Sequence, residues 1–256
     1  MKVLELFSGT GSVKKVCDKL EWDSVSVDMI LPADHQIDIM DFDYKQYPKD
    51  YFDIVWASPP CTNYSALKNC WFNRKLKDGT IYTKEQNLKE QDEADKLVLK
   101  SFEIIEYFNP KLWFLENPQT GNLKNREIMK DKPFYDVDYC MYSDWGYKKR
   151  TRIWTNKKEF NNKLCDGSGA CGNMIEVPTN GAKRHDTGKP IKTDTRKLHT
   201  SNCGKSESLR AVKNHKIHQI NLGNADNNLR KNLQGSQTKL DRYRVPEQLI
   251  MDLFLN

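Results

Sequence analysis

Val3-Leu4-Glu5-Leu6-Phe7-Ser8-Gly9-Thr10-Gly11-Ser12 runs from an apolar strand, through a tight glycine turn, into the start of a helix. Val13, Val16, Cys17 and Leu20 continue that helix at helical spacing. Working outward, Ser24-Val25-Ser26-Val27 reads as a second strand ending in Asp28, and Ile37-Asp38-Ile39 as a third extended region. A fourth strand covers about Phe52 to Ala57, and Lys111-Leu112-Trp113-Phe114-Leu115 is the next, ending in Glu116-Asn117-Pro118. Between these last two, a helix is expected from about Gln91 to Phe108, with Ala94, Leu97, Val98, Phe102 and Ile105 on one face and Pro110 behind it. Strands alternating with helices in this rhythm predict an α/β fold built on a doubly wound, mostly parallel sheet.

Further extended runs are expected at Tyr135 to Tyr142 and at Arg152-Ile153-Trp154-Thr155. Periodicity then weakens, which predicts a small irregular lobe, and Val245 to Leu255 reads as an amphipathic terminal helix with Pro246 near its first turn. The expected division is a core over 1–155, a lobe over 156–237, and a segment over 238–256 that packs back on the core. At 256 residues one such domain with an appendage is the natural size.

The net charge of +6 conceals an asymmetry. Residues 155–245 hold 18 Lys and Arg against 8 Asp and Glu, so this segment carries +10 and the remainder −4. A basic lobe on a mildly acidic body fits a polyanion, nucleic acid foremost, although a solvated lysine-rich surface gives the same count. No run approaches the ~20 apolar residues of a membrane span, and Met1 to Phe7 enters a strand pattern at once with no basic-then-apolar leader. A cytoplasmic or nuclear protein with no membrane partner is expected. Seven cysteines, an odd number in apolar or mixed segments, fit reduced thiols better than a disulfide framework.

Ser58-Pro59-Pro60-Cys61 follows the buried-looking run Ile54-Val55-Trp56-Ala57 and delivers a thiol at the end of a strand, where open α/β sheets bind their ligands. Each proline fixes its own φ and pushes its predecessor toward extended geometry, so the thiol has a set direction. The long polar stretch 66–90 behind it reads as a mobile lid. At the first turn, glycines allow close approach of a ligand, and Asp28 is placed to accept hydrogen bonds from ribose hydroxyls. The turn is Gly-x-Gly with nothing basic to cradle phosphates. It favours a nucleoside ligand without pyrophosphate, a description S-adenosylmethionine fits, while an ordinary helix-opening turn reads the same way in isolation.

Taken together and in order, Phe7-Ser8-Gly9-Thr10-Gly11, Pro60-Cys61-Thr62-Asn63-Tyr64-Ser65, Glu116-Asn117-Pro118 and Arg150-Thr151-Arg152 resemble the motifs of the cytosine-C5 DNA methyltransferases, and most of all the compact enzymes of viruses and phages. The resemblance covers about 1–155 and the terminal helix. It implies a Rossmann-like class I methyltransferase fold, a basic target-recognition lobe, and double-stranded DNA as partner to a monomer. It also implies S-adenosylmethionine as cofactor, with S-adenosylhomocysteine as product. Phe7 would lie against the adenine, with Gly9 and Gly11 under the methionine part, Asp28 on the ribose, and Asp38 and Ile39 at the adenine edge, for which Asp41 competes. Ser8, Thr10, Met29 and Pro59 complete the implied cofactor site.

Cytosine C5 is a poor nucleophile, so the ring needs a thiolate added at C6, the role assigned to Cys61, and a proton held at N3, the role assigned to Glu116. Arg150 and Arg152, with Lys148 where the family has Gln, would hold the extruded base, helped by Pro60, Ser65, Asn117 and Pro118. Thr62 and Pro118 are milder departures, and the Gln-x-Gly-Asn signature that precedes the family's last motif is absent before Tyr243-Arg244-Val245-Pro246. The rivals are an exocyclic-amine methyltransferase, since Ser-Pro-Pro followed by an aromatic marks that chemistry, an RNA cytosine methyltransferase, and a non-catalytic DNA-binding module. A zinc site from Cys165, Cys171, His185, His199 and Cys203 lacks the tight Cys-x2-Cys pair of structural sites, so free thiols and surface histidines are expected there.

Overall fold

A computed structural model describes residues 1–146, 148–178, 195–199 and 243–256. Its chain order is β1 (Lys2–Leu6), α1 (Ser12–Leu20), β2 (Asp23–Val27), β3 (Ile54–Ala57), α2 (Lys84–Phe108), β4 (Leu112–Pro118), β5 (Phe134–Asp138), β6 (Arg150–Thr155), β7 (Met174–Pro178), β8 (Thr195–His199) and a terminal helix α3 (Glu247–Leu255). Six strands form one sheet in the order β2-β1-β3-β4-β6-β5. The first four pair in parallel, and β6 lies antiparallel to β4. The expected α/β, mostly parallel architecture is observed.

Alternation along the strands assigns the two faces. Leu4, Leu6, Val55, Ala57 and Leu115 share a buried cluster with Ala94, Val98, Ile105 and Phe108 of α2. On the other face Trp56 and Phe114 meet Phe254 of α3, with ring centroids 6.2 and 5.8 Å apart, and α3 packs on α1. Both faces are therefore covered by helices, which is why the inner strands are mostly apolar, β3 throughout, instead of alternating with polar residues. Each fully buried large side chain contributes about 1.5–3 kcal/mol to this arrangement.

Three local expectations need correction. α2 begins at Lys84, seven residues before the expected start, because Thr83 caps it by accepting the Gln86 N–H at 3.1 Å. The stretch behind Cys61 is accordingly shorter than a 66–90 lid, and it is tied down: Lys68 is buried and donates to Asn63 at 2.8 Å and to Glu90, while the Tyr82 hydroxyl also donates to Glu90, at 2.6 Å. The third extended region, Ile37-Asp38-Ile39, is no strand: an isolated bridge forms before it, between Val27 and His35, and Ile39 turns into the core.

The chain forms two compact units. Met1–Val137, Arg150–Asn162 and Tyr243–Asn256 make up one, and Asp138–Lys149 with Lys163–Arg242 the other. In the second unit, β7 and β8 pair as an antiparallel ribbon that sets Met174 opposite His199. Among the described residues no helix is long and apolar enough to cross a membrane.

Candidate active site

Strand register creates the site. Leu6, Ala57 and Leu115 stand side by side, the first two at the C-terminal ends of β1 and β3 and the third within β4. Phe7 and Ser58 therefore leave the sheet beside Glu116, the first residue of the stretch Glu116 to Pro118 in which β4 runs on past the end of β3, paired with β6. That end of the sheet receives the glycine turn, the Pro-Pro-Cys turn and the Glu-Asn-Pro segment together, and all three belong to the first unit.

The glycine turn is held by backbone geometry that its sequence permits. Phe7, Gly9 and Gly11 have φ of 58°, 53° and 67°, left-handed values that glycine adopts without strain and that cost Phe7 free energy. Gly11 caps α1, whose N-terminus receives Glu5 from β1: its two carboxylate oxygens accept the Val13 and Lys14 N–H groups at 3.1 Å each. Burial raises the pKa of Glu5 to about 7, against the lowering effect of those two hydrogen bonds. No motif marks this capping Glu, which sequence reasoning missed; its signal is a lone carboxylate inside the apolar run of β1.

Asp28 ends β2 and ties that strand to the turn. Its Oδ2 accepts the Gly9 N–H at 2.9 Å, and its Oδ1 accepts the N–H groups of Ile30 and Leu31 at 2.8 and 2.7 Å. A carboxylate has about four lone-pair positions, so capacity is left for a ligand hydroxyl. Met29 and Ile30, 58% and 74% exposed, offer apolar surface beside it, and Phe7 is half-buried. An acceptor and an exposed apolar margin suit a nucleoside, and the Lys15 ammonium donates to the Thr10 carbonyl of the turn at 2.9 Å. Asp38 uses Oδ1 to accept the Met40 N–H at 2.9 Å, and Ile39 is buried in the core cluster. Ser8 is buried and donates its N–H to Val27, Thr10 contacts Ser12, and Tyr243 approaches the turn, its Cβ 3.9 Å from the place a Gly9 Cβ would take.

On the catalytic side, Cys61 is half-buried on the turn after β3, where a 3-10 turn begins at Thr62, and Glu116 is buried on β4. Asn117 is fully buried and donates Nδ2–H to the Pro59 carbonyl at 2.9 Å, locking the Pro-Pro turn to β4, while its Oδ1 has no hydrogen-bond partner among the described residues. Tyr64 is buried and donates to Asp95 Oδ1 at 2.8 Å, and Asp95 Oδ2 accepts from Arg126 Nε at 2.8 Å. Burial, then the hydrogen bond to Asp95, pushes the Tyr64 phenol up. The backbone of Gly121 sits so close that a Cβ there would come within 3.2 Å of the Pro118 carbonyl and 3.3 Å of the Tyr64 carbonyl. Ser65 caps the following 3-10 turn by accepting the Leu67 N–H, and Pro60 is exposed. Asp95, Arg126 and Gly121 carry no motif, so sequence reasoning missed these supports.

The arginines divide. Arg152 grips Asp136 in a bidentate pair at 2.7 and 2.9 Å and lies 3.5 Å from the Phe134 ring centroid, contacts that link β6 to β5. Arg150 lies two residues earlier on β6, half-buried, and the Gln119 N–H donates to its carbonyl at 3.1 Å. Lys148 belongs to the second unit, where it donates to the Cys165 carbonyl at 3.0 Å. His199, expected at the surface, is buried there beside Cys165 and Cys171. His185 and Cys203 lie outside the described residues.

The family model of C-5 cytosine-specific DNA methylases matches residues 1–132. A "probable DNA (cytosine-5)-methyltransferase" of Frog virus 3 (isolate Goorha) is 43% identical over 189 residues, spanning 72% of this chain and 84% of that protein. Among solved structures, the Entamoeba histolytica methyltransferase EhMeth is similar with a TM-score of 0.43 at 16% identity, covering 64% of this chain and 55% of its own. A putative DNA modification methyltransferase encoded within an E. coli prophage gives 0.41 at 14% identity, covering 84% and 69%.

Proposed function

Because this chain belongs to the C-5 cytosine-specific DNA methylase family, we propose that it methylates cytosine at C5 in double-stranded DNA, acting as a monomer with S-adenosylmethionine as donor and S-adenosylhomocysteine as second product. The observation that carries the reading is the β3–β4 register, Ala57 opposite Leu115, which ends β3 and starts the Cys61 turn beside the stretch of β4 that carries Glu116. DNA as the polymer is supported by the name of the viral relative and by the +10 charge of residues 155–245.

In this reading the target cytosine is swung out of the duplex. Cys61, as the thiolate, forms a bond to C6 while Glu116 holds a proton at N3, so the electron pair displaced into the ring makes C5 nucleophilic. S-adenosylmethionine, when bound, supplies an electrophilic methyl group. Loss of the C5 proton to a base and expulsion of the Cys61 thiolate restore the aromatic ring. Asn117 aims the thiol by fixing the Pro59 carbonyl, and the Tyr64–Asp95–Arg126 chain anchors the turn from behind. Arg150 keeps the role of clamp on the base. Arg152 supports it indirectly, through its pairing with Asp136. Phe7 and Asp28, beside Met29, receive the nucleoside end of the donor, and Gly9 and Gly11 lie under its methionine part.

The test is tritium transfer from labelled S-adenosylmethionine to duplex DNA and to structured RNA in competition. Label in 5-methylcytosine of the duplex, absent with Cys61→Ser, is expected. Preferential labelling of RNA would reassign the substrate, and full activity of Cys61→Ser would point to exocyclic-amine chemistry instead.

A further inference from the structure

Cys140, Cys165, Cys171 and His199 converge in the second unit, and their ligand atoms all lie within 4.8 Å of one another. The Cys165 and Cys171 sulfurs are 3.8 Å apart, and each is 3.7 Å from Nε2 of His199. A disulfide would need about 2.05 Å. With Zn–S near 2.3 Å and Zn–N near 2.0–2.1 Å, the edges of a tetrahedron are about 3.8 Å between sulfurs and about 3.6 Å between sulfur and nitrogen. The three edges among Cys165, Cys171 and His199 are those of a tetrahedral site, and the ligand atom of Cys140 lies within 4.8 Å of the other three.

The surroundings are built for the cluster. Asn173, buried, donates to the carbonyls of Cys140 and Ser143 at 2.8 Å each and of Cys171 at 2.9 Å, and its Oδ1 accepts the Gly146 N–H at 2.8 Å. One side chain thus fixes the backbone of two of the four residues. The Cys165 N–H donates to Asp138 at 2.8 Å, and the Cys165 carbonyl accepts from Lys148. Cys165 and Cys171 are joined by Asp166-Gly167-Ser168-Gly169-Ala170, in which Gly167 and Gly169 take φ of 85° and 97°, folding the two thiols toward one point. The ribbon register carries His199 to the same place, opposite Met174, which itself follows closely on Cys171.

We propose that Cys140, Cys165, Cys171 and His199 bind one structural Zn²⁺ in the second unit. Three thiolates and one neutral imidazole form a closed set with no position left for water or substrate, the arrangement of a structural site. Such a site supplies what the sequence of this lobe lacks, since the weak apolar periodicity after Asn156 leaves few residues for a packed core. Lys148 sits where a cation offsets the net negative charge of a three-thiolate site. This gives a residue that occupies the place of a family glutamine a different task.

The experiment is metal analysis of the full-length chain purified under reducing conditions without a metal-affinity tag, with X-ray absorption at the zinc edge. About one equivalent of zinc per chain, in a shell of three sulfurs and one nitrogen, is expected. Cys140→Ser and Cys171→Ser should lower the content below about a tenth, while His185→Asn, Cys203→Ser and the exposed-cysteine variant Cys70→Ser should retain it. Because the first two variants could misfold, Co²⁺ is also added to chelator-treated wild-type chain, and the visible bands of tetrahedral thiolate-bound cobalt are expected at one equivalent. Metal-free wild type that gives no such bands would overturn the proposal, as would zinc lost on changing His185 or Cys203 and kept on changing Cys140.

Discussion

Glu5 shows how a single residue can couple the fold to pH. Its carboxyl is buried under α1 with a pKa of about 7, whereas an unfolded chain ionises near 4.5. Below pH 4.5 both states hold the proton, so the stabilisation is complete. As pH rises toward 7 the unfolded state releases its proton first, and stability is lost progressively until the folded-state pKa is passed. The shift corresponds to roughly 3 kcal/mol. Unfolding titrations between pH 5 and 8 should therefore show declining stability in the wild type and a flatter profile in Glu5→Gln; parallel profiles would refute the assignment. At this scale the sequence was legible in where a motif sits, since Cys61, Glu116 and Asp28 lie on or just after the strands expected to carry them. It was opaque for Cys140, whose partners Cys165, Cys171 and His199 come from distant stretches and meet only through the turn after β5 and the β7–β8 register.

Among the elements, the turn after β3 owes its position to packing from two sides. Tyr64 reaches back to Asp95 on α2, Asp95 is shared with Arg126, and Gly121 abuts the Tyr64 carbonyl. Removing the phenolic hydroxyl in Tyr64→Phe leaves Asp95 Oδ1 short of a buried partner, a loss of about 1–3 kcal/mol in urea unfolding. Methyl transfer should fall more steeply than cofactor binding, because the thiol turn is displaced and the glycine turn is not; equal losses in both would contradict the anchoring role. Gly121→Ala should act in the same sense by forcing backbone apart at that contact. The strands were legible from apolar runs and their terminal motifs. The start of α2 was not, since Lys84 to Glu90 is polar and only the Thr83 cap marks it, and the 3-10 turns behind Cys61 leave no periodic trace.

For the whole molecule, charge and chemistry are carried by different parts of the chain. Residues 155–245 carry +10 and the remainder −4, so duplex binding should depend steeply on salt even where methyl transfer does not. With six to ten phosphates neutralised, affinity should fall roughly 10³–10⁵-fold between about 50 and 200 mM salt. A fall of less than about tenfold, measured by fluorescence anisotropy on a cytosine-containing duplex, would mean that the basic segment is only a solvated surface. Composition pointed to a polyanion partner, but which bases are read was not legible, because base-edge contacts follow from a few side chains that no motif marks.

The central claim is that Cys61 bonds covalently to the cytosine ring. It is tested most directly by incubating the protein and S-adenosylmethionine with a duplex containing 5-fluorocytosine, then analysing the mixture by denaturing gel and peptide mass spectrometry. The account predicts a stable protein–DNA adduct mapped to Cys61 and absent in Cys61→Ser. Methylation of ordinary duplex DNA by the wild type with no adduct on the fluorinated one, or an adduct undiminished in Cys61→Ser, would contradict it.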